Sequence, residues 1–301
     1  MTVLLALALF VTLAVGAWLA AWFDRLAPAL WGGPARGPLS PLRDAAVLLT
    51  RETIRTEAPD DLNRRLAPVL YLSLAAIGLS VVPFAPGLAL VESPVGIVIW
   101  GSCEALTIVA VFLHGWSPNA PFPLIGAYRY AAIALPVMLP SMFVLIAAAL
   151  PAESLSVVAI VESQREIWNV IRQPLGLPLF VAVALTLTLR GPMDYAGGAD
   201  IAGGTSAEDS GGGRALWQAA RLAMLVAVSA LAAAVFLGGP LGPVLPGPVW
   251  LWLKTAAVMA LVVLAGQHIA RTTPARMLGL IWTIVLPLSF LHLGIAGVLA
   301  L

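Results

Sequence analysis

Three polar segments between long apolar runs hold most of the charged residues that could do chemistry in this chain. These residues are arginines and carboxylates beside glycine and proline turns, and they are Arg36, Arg43, Asp44, Arg51, Arg129, Arg190, Asp194, Glu208 and Asp209. An arginine side chain offers fixed donors to carboxylates and carbonyls, and a glycine lets another backbone approach closely. In any single segment, charged residues that merely face solvent would give a similar pattern. Three such segments favour a surface that docks a soluble partner.

Glu104 lies near the middle of the apolar run IVIWGSCEALTIVAVF. A charge at the centre of a bilayer costs roughly 2.5–3.5 kcal/mol on insertion scales, so this side chain should be protonated or should face a polar interior. One interpretation is a carboxyl that relays protons. The other is a neutral glutamate hydrogen-bonded to a neighbouring helix, and the sequence leaves both open.

Histidine and cysteine are too scattered to predict a metal site. His114, His268 and His292 lie far apart in the sequence, and Cys103 is the lone cysteine, so we expect neither a metal cluster nor a disulfide framework. We expect His268 to lie near a membrane surface and His292 to be packed and hydrogen-bonded. No catalytic residue is predicted in this chain.

The remaining charges have structural interpretations. Glu162 and Glu166 are spaced i, i+4 and would share the solvated face of a helix. Lys254 and Arg221 each lie near the end of an apolar run, where a long side chain can bury its stem and extend its charge to the membrane surface.

Long apolar runs must position all of these groups. The chain has 301 residues, of which 60% are hydrophobic and 10% charged, whereas about 25% are charged in a typical soluble domain. The formal net charge of +1 gives no reason to expect nucleic acid as a partner. Runs long enough to cross roughly 30 Å of hydrocarbon occur near 2–23, 66–84, 94–113, 128–150, 173–189, 215–237, 249–269 and 277–300. The sequence predicts one integral membrane domain over residues 1–301, all-α, with about eight transmembrane helices.

Arginine placement predicts the orientation, because cytoplasmic loops carry an excess of Lys and Arg. Loop 24–65 holds seven arginines, others flank the segment 190–214, and the opposite side has only Arg165 and Arg172 in a loop. We therefore expect loops 24–65 and 190–214 to be cytoplasmic and both termini to face outward. Within the first loop, the spacing of apolar residues predicts an amphipathic helix on the membrane surface over about 39–55. Asp60 or Asp61 is available to cap the next helix.

Four stretches together carry a resemblance to a known family. They are GPARGPLSPLRDAAVLLTRE (33–52), LAPVLYLSLAAIGLSVVPFAP (66–86), GWSPNAPFPLIGAYR (115–129), and VESQREIWNVIRQPLGLPLF followed by RGPMD and AEDSG. In this order they resemble subunit 1 of respiratory complex I and its counterpart in membrane-bound, energy-converting hydrogenases such as formate hydrogenlyase. The similarity covers most of the chain, and eight transmembrane helices is the number typical of that family.

The resemblance implies a role and a set of partners. The charged residues named above would line or brace the junction between the membrane and a soluble electron-transfer arm, on the cytoplasmic face of a bacterial inner membrane. The chain would hold no metal or cofactor itself, although a quinone could bind at the junction in a complex I-like enzyme. Iron–sulfur clusters, with nickel–iron or flavin, would belong to soluble partners, and antiporter-like membrane subunits would translocate protons or other ions.

Several positions depart from the family pattern. Acidic residues that the family usually carries in its fourth and fifth transmembrane helices are replaced by Met138 and Leu187, and the acid-rich run after RGPMD retains Asp200. The residue before the Ser-Gly pair, usually Tyr or His, is Asp209. These departures favour a divergent hydrogenase-type or complex I-like assembly. They put the usual route of ion coupling in doubt, and Glu104 is a hypothetical substitute.

Two other classes of protein remain as alternatives, a stand-alone permease and a lipid-modifying membrane enzyme. A permease often shows inverted repeats or charges that converge at the middle of the membrane. A lipid enzyme should offer a cluster of His, Asp and Glu at one membrane surface. The sequence shows neither an internal repeat nor a histidine cluster, so a membrane subunit that docks a redox partner is the favoured prediction.

Overall fold

The computed structural model describes residues 2–300, and every regular element within that range is helical. Single-turn 3₁₀ segments connect several helices, and a π-helical turn, Ile281–Val285, joins the last two. The helices are α1 (Thr2–Leu26), α2 (Ser40–Leu49), α3 (Asp61–Ser80), α4 (Gly96–Trp116), α5 (Pro121–Ala149), α6 (Val157–Glu162), α7 (Asn169–Arg172), α8 (Gly176–Leu187), α9 (Gly211–Leu237), α10 (Gly247–His268), α11 (Pro274–Leu280) and α12 (Leu286–Ala300).

Six helical segments within residues 2–300 are long and apolar enough to cross a membrane. They coincide with six of the eight predicted spans and are Val3–Trp31, Gly96–Trp116, Pro121–Ala152, Gly211–Leu237, Gly247–His268 and Pro274–Leu299. The prediction of an all-α, multi-pass membrane protein is therefore confirmed.

The other two predicted spans are also helices, but they are less regular. The 20 residues of α3 begin with Asp61, Arg64 and Arg65, which makes its first turns polar. The 12 residues of α8 would rise about 18 Å, which is less than the roughly 30 Å of a hydrocarbon core. The helix begins at Gly176, close to the predicted start near 173, because Gln173 precedes Pro174 and has a non-helical backbone (φ −137°, ψ 69°).

Helix α9 is the centre of the bundle. Every residue from Ala223 to Phe236 is buried, as expected for a helix that is apolar on all sides. Helices α3, α10 and α1 pack around it, and α4 and α5 complete the bundle through α3 and α8. Because α9 begins directly after the long loop that ends at Ser210, that loop lies at one end of the central helix.

Specific residues define the ends of these helices. Asp60 caps α3, as predicted, because its Oδ1 accepts a hydrogen bond from the backbone N–H of Asn63 at 3.1 Å. Helix α9 ends at Leu237, and the next residue, Gly238, caps it with a φ of 69°, a conformation that suits glycine.

Lys254 extends its charge to the end of a neighbouring helix, where it is buried rather than solvated. Its side chain is buried, and Nζ donates to the carbonyl oxygens of Leu237 at 2.6 Å and Leu241 at 2.7 Å. Nζ also lies 4.1 Å from the centroid of the Trp168 ring. The last carbonyls of a helix lack partners within the helix and carry partial negative charge. The lysine therefore stabilises the end of α9.

The surface helix is shorter than predicted. It covers Ser40–Leu49, whereas the apolar pattern suggested about 39–55. Beyond it the backbone binds other loops: the N–H of Ile54 donates to Ser210 Oγ at 2.6 Å, and Thr56 Oγ1 donates to the carbonyl of Pro118 at 2.7 Å. These tertiary hydrogen bonds replace further turns of helix.

Two further predictions, about the glutamate pair and about His292, differ from the structure. Glu162 and Glu166 do not share a helix face, because α6 ends at Glu162; Glu162 pairs instead with Arg165. His292 is packed as predicted, at 3% exposure, but its Nε2 has no hydrogen-bond partner within residues 2–300. His268 is exposed and accepts a hydrogen bond from Trp31 Nε1 at 2.8 Å.

Candidate functional site

A cavity of about 350 Å³ lies where α1, α2 and α9 meet the start of the loop after α8. We call it the α1–α2–α9 cavity. Its volume is near the lower end of the range, roughly 300–1,000 Å³, in which small-molecule sites fall. Its walls combine small apolar side chains with charged and amide groups, and they are Ala21, Asp24, Arg25, Pro41, Asp44, Ala45, Leu48, Thr188, Arg190, Ala215, Gln218, Ala219, Arg221 and Leu222.

Arg190 joins the loop to the end of α1 at this cavity. Its Nη1 and Nη2 donate to Oδ1 and Oδ2 of Asp24 at 2.5 and 2.7 Å, and the two side chains are 15% and 30% exposed. A bidentate contact of this kind fixes the plane of the guanidinium as well as its position. The buried Nε of Arg190 has no hydrogen-bond partner among the described residues.

Arg221 of α9 holds the backbone just before Arg190. Its Nη2 donates to the carbonyl oxygen of Leu189 at 2.5 Å. Leu189 has a φ of 54°, a left-handed conformation that is uncommon for a residue with a side chain. The hydrogen bond from Arg221 helps to stabilise this conformation, which turns the chain out of α8 towards Asp24.

Asp44 joins the surface helix to α1. Its Oδ2 accepts hydrogen bonds from Nε and Nη2 of Arg25 at 3.0 and 2.8 Å, and Nη1 of Arg36 lies 4.0 Å away. The hydrogen bond from Arg25 holds the pKa of Asp44 below its ordinary value of 3.8, and Arg36 and Arg43 act in the same direction. The carboxylate is therefore ionised at neutral pH, and a charged pair forms one rim of the cavity.

A second ion cluster lies on the loop itself. Asp200 accepts hydrogen bonds from Arg129 of α5, at 2.5 Å, and from Arg271, which follows α10. Both guanidinium groups hold the pKa of Asp200 below 3.8. Arg271 also donates to the carbonyl oxygen of Asp194 at 2.8 Å, while Asp194 Oδ1 accepts from the N–H of Gly197 at 2.8 Å. This cluster connects the loop to α5 and to the segment between α10 and α11.

A buried histidine–aspartate contact forms the third connection. His114 Nε2 and Asp209 Oδ2 are 2.8 Å apart, and the two side chains are only 3% and 5% exposed. The groups are not aligned as a hydrogen bond, and neither ring nitrogen has a hydrogen-bond partner among residues 2–300. The His114 ring also stacks on Trp217, with centroids 3.6 Å apart and an interplanar angle of 12°. The contact holds the end of the loop against α4.

Close backbone contacts keep the loop on the bundle. An added Cβ at Gly126 of α5 would lie 2.4 Å from the carbonyl oxygen of Ala196 and 2.9 Å from the backbone nitrogen of Thr205. Gly204 has a φ of 52°, and a Cβ there would lie 1.8 Å from the same carbonyl. Only glycine allows this approach, so the glycine-rich composition of the loop has a packing reason.

Glu104 is buried and its carboxylate is hydrogen-bonded to two neighbours. Oε1 accepts from Trp100 Nε1 at 2.5 Å, and Oε2 accepts from Ser141 Oγ of α5 at 2.7 Å. The adjoining cavity holds about 10 Å³ and is lined by Met138 and Leu187. That volume is about the minimum for a single water molecule. Hydrogen bonding to a neighbouring helix is thus observed, and a role in proton transfer is untested.

The nine residues predicted for the docking surface do not form a single group. Asp44 and Arg190 line the α1–α2–α9 cavity, Arg129 lies in the ion cluster on the loop next to Asp194, and Asp209 is buried against His114. The others line none of these: Arg36, Arg43 and Arg51 are exposed beside or on the surface helix and are called the rim below, and Glu208 is half-buried.

Sequence reasoning missed five residues at these connections: Asp24, Arg25, His114, Arg221 and Arg271. The adjacent charges Asp24 and Arg25 at the end of the first apolar run were a usable signal, because charges at that depth need partners. His114 gave no signal of its own, since its partner lies in a distant loop. Within residues 2–300, no group of three His, Cys, Asp or Glu side chains could hold a metal ion.

Comparisons with known proteins agree on one family. A family model described as NADH dehydrogenase matches residues 1–297. The NADH-quinone oxidoreductase H 1 subunit of Rhodopseudomonas palustris strain HaA2 is 36% identical over 271 residues, which cover 88% of this chain and 85% of the relative. The protein of the same name in strain BisA53 is 31% identical over 305 residues, which cover 99% of this chain and 96% of the relative. The corresponding H protein of NADH-quinone oxidoreductase in Brevibacillus brevis is 29% identical over 276 residues, covering 88% and 82%.

Proposed function

This chain belongs to the NADH dehydrogenase family, and on that premise we propose that it docks the soluble electron-transfer arm of a complex I-like oxidoreductase. The observation that carries the proposal is the α1–α2–α9 cavity beneath an arginine-rich rim. The rim lies on the predicted cytoplasmic side, where a soluble arm would approach. Docking would cover the rim and leave the cavity between the arm and the membrane.

The lining of the cavity suits a quinone. A quinone ring offers two carbonyl acceptors on a flat apolar body, and the cavity combines arginine and amide donors with small apolar side chains such as Ala45 and Ala219. Gln218 and Arg221 lie on the same face of α9, one turn apart, and could each donate to a carbonyl oxygen. The cavity would therefore bind a quinone head group while the arm delivers electrons to it.

The exposed arginines Arg36, Arg43 and Arg51 support docking by charge. They lie before, within and just after the surface helix, and all three are exposed. Arginine is the cation best suited to paired contacts with carboxylates of a partner. We propose that the soluble arm presents an acidic surface to them. The clusters at Asp200 and Asp209 then hold the loop in the shape that the arm requires.

Ion coupling is the part of the proposed function in which the residues of this chain differ most from the family pattern. Met138 and Leu187 close the small cavity beside Glu104, which makes Glu104 the one carboxyl at that position in residues 2–300. We propose that Glu104 passes protons from this region to antiporter-like neighbours. The sealed surroundings of the carboxyl imply that an opening motion, or water entry, must accompany each transfer.

The chain's partners would carry the redox groups. Iron–sulfur clusters with flavin would lie in the soluble arm of a complex I-like enzyme, whereas a nickel–iron subunit would replace the flavin arm in a hydrogenase-type assembly. The names of the relatives favour the quinone-linked form. Because Met138 and Leu187 replace acidic residues that the family usually carries, the hydrogenase-type form is kept as the second candidate. The proposed location is the bacterial inner membrane.

Purification of the tagged chain from its native membrane in mild detergent tests the proposal. We expect iron–sulfur and flavin subunits to copurify and NADH:quinone reduction to be retained. A nickel–iron large subunit in place of the flavin subunit would select the hydrogenase-type form. Isolation without any companion, together with transport or modification of a small solute, would overturn the proposal in favour of a permease or a lipid-modifying enzyme.

Charge reversal tests the docking surface. Arg36→Glu, Arg43→Glu and Arg51→Glu together should lower recovery of the soluble subunits at least tenfold, and the effect should grow as salt is lowered. Arg165→Glu makes a matched control, because Arg165 is equally exposed but lies at the opposite end of the bundle. Equal losses in the two variants would exclude a docking role for the rim.

A further inference from the structure

A second cavity, of about 360 Å³, lies at the opposite end of the bundle from the site described above. It is formed where α5 ends, α8 begins and α12 ends. Three polar side chains line it, Glu153, Arg172 and Gln173, and apolar residues near the end of α12, including Ala296, form its other wall. Because three helix ends meet here, the cavity lies at a boundary between hydrocarbon and water.

Gln173 lines this cavity and carries an unused, buried acceptor. Its side chain is 5% exposed, and its Nε2 donates to the carbonyl oxygen of Ala147 at 2.8 Å. That bond fixes which end of the amide carries the oxygen, since a carbonyl can accept only from the NH₂ group. Oε1 is therefore left buried, without a hydrogen-bond partner among residues 2–300. Buried acceptors are usually paired in folded proteins, so a donor from a ligand or from a water molecule would satisfy this one.

The two charged side chains of the cavity are not paired with each other. Arg172 is half-buried and Glu153 is exposed, and neither forms an ion pair within the part of the chain that the structure describes. Glu153 has a φ of 48°, an uncommon conformation for a residue with a side chain. A ligand that matches this arrangement would carry an anion for Arg172 and a cation with N–H donors for Glu153 and Gln173.

The apolar surroundings restrict the ligand further. A neighbouring groove of about 430 Å³ shares Leu150 and Glu153 with the cavity and continues along Ile146 and Gly297. This groove lies between the end of α5 and α12, and Ile146 in its wall is exposed. Hydrocarbon chains could occupy it while a polar head group stays at the charged end.

We propose that this cavity binds a phospholipid with a primary ammonium head group, namely phosphatidylethanolamine. The phosphate would lie against Arg172, since a guanidinium suits phosphate oxygens. The ammonium would donate to Glu153 and to Oε1 of Gln173. Phosphatidylcholine has a similar charge but no N–H donor, and phosphatidylglycerol has no cation for Glu153. The site is independent of the proposed redox function.

Lipid binding to the full-length chain, purified with any subunits that accompany it and then delipidated, tests the proposal. Phosphatidylethanolamine, phosphatidylcholine and phosphatidylglycerol with identical acyl chains are compared by native mass spectrometry and by thermal stabilisation. We expect phosphatidylethanolamine to bind about tenfold more tightly than phosphatidylcholine. Phosphatidylcholine cannot form the charge-assisted hydrogen bonds of the ammonium group, and their loss weakens binding by about this factor. Equal binding of the three lipids would overturn the proposal. So would equally tight binding of free phosphoethanolamine, which would indicate a soluble ligand.

Two conservative variants locate the site. Arg172→Gln and Glu153→Gln should each remove most of the preference for phosphatidylethanolamine without affecting assembly. The control is Arg165→Gln, because Arg165 lies at the same end of the bundle but pairs with Glu162. The preference of this variant for phosphatidylethanolamine should be unchanged. An equal loss in the control would show nonspecific attraction to charge and would overturn the assignment. A protein subunit found seated on this cavity in the purified complex would do the same.

Discussion

Arg190 binds Asp24 through two parallel hydrogen bonds of 2.5 and 2.7 Å, although 166 residues separate them in the chain. This pair connects the loop after α8 to the end of the first helix and forms one corner of the α1–α2–α9 cavity. The position of the loop therefore depends on a contact between the two halves of the sequence.

The Arg190–Asp24 pair should be needed for both stability and quinone reduction. Asp24→Asn removes the charge that balances Arg190, and we expect a loss of roughly 1–3 kcal/mol, between the values for exposed and buried pairs. Thermal unfolding and NADH:quinone reduction of the purified assembly measure the two effects. Glu92→Gln is the control, because Glu92 is exposed and far from the cavity. Wild-type behaviour of Asp24→Asn would exclude this role.

His114 and Asp209 should act as a coupled pair. Replacing either by Ala leaves the other buried without its partner, which should cost about 1–3 kcal/mol in each case. The double variant should then cost less than the sum of the two single variants. Thermal unfolding of the four proteins of this cycle measures the coupling. Glu208→Ala, one residue away and half-buried, should have a smaller effect, and strict additivity would argue against the contact.

The cluster at Asp200 predicts a pH dependence. Its folded pKa is depressed by Arg129 and Arg271, so its contribution to stability is present above pH 3.8 and is lost as the pH falls through the folded pKa. Wild type should therefore be more stable than Asp200→Asn at pH 7 and pH 5, with the difference narrowing below pH 3.8. Because Asp200 is exposed, 1 M salt should also reduce the difference. A difference that is constant with pH would contradict the assignment.

Gly126 should not tolerate a side chain. In Gly126→Ala the new Cβ would meet the carbonyl oxygen of Ala196 at 2.4 Å, so the loop must move, at a cost of about 1–3 kcal/mol. Thermal unfolding and proteolysis of the loop measure the change. Gly279→Ala in α11 is the matched control, since no atom lies within 4 Å of its Cβ position. It should be neutral or stabilising by roughly 0.5–1 kcal/mol.

Glu104→Gln tests the proposed proton relay. The amide keeps the volume of the side chain and can still accept from Trp100 or Ser141, so assembly and quinone reduction should continue. Proton translocation per electron should fall by about half or more, because the amide cannot carry a proton. Both rates are measured in vesicles that contain the assembled enzyme. Unchanged translocation would show that Glu104 is a hydrogen-bonded core residue only.

The hydropathy of the chain by itself determined the class of fold. Long apolar runs require helices in a membrane, because hydrocarbon offers no partner for backbone groups, and eight helices lie where eight runs were predicted. Local chemistry also narrowed the cap of α3 to Asp60 or Asp61, and Asp60 takes that role with Asn63, three residues away, as its partner. Such features depend on neighbours in sequence, and a pattern can therefore indicate them.

Only the tertiary structure decided which charges meet. The pairs of Arg190 with Asp24 and of Arg129 with Asp200 join residues 166 and 71 positions apart, and the end of the surface helix is set by hydrogen bonds to distant loops. The sequence indicated that Lys254 extends its charge towards a helix end, and the fold supplies its partners there, the carbonyls of Leu237 and Leu241. In each case the side chain's partner depends on how the helices pack, since orphan carbonyls and buried charges bind whichever group the fold brings near them.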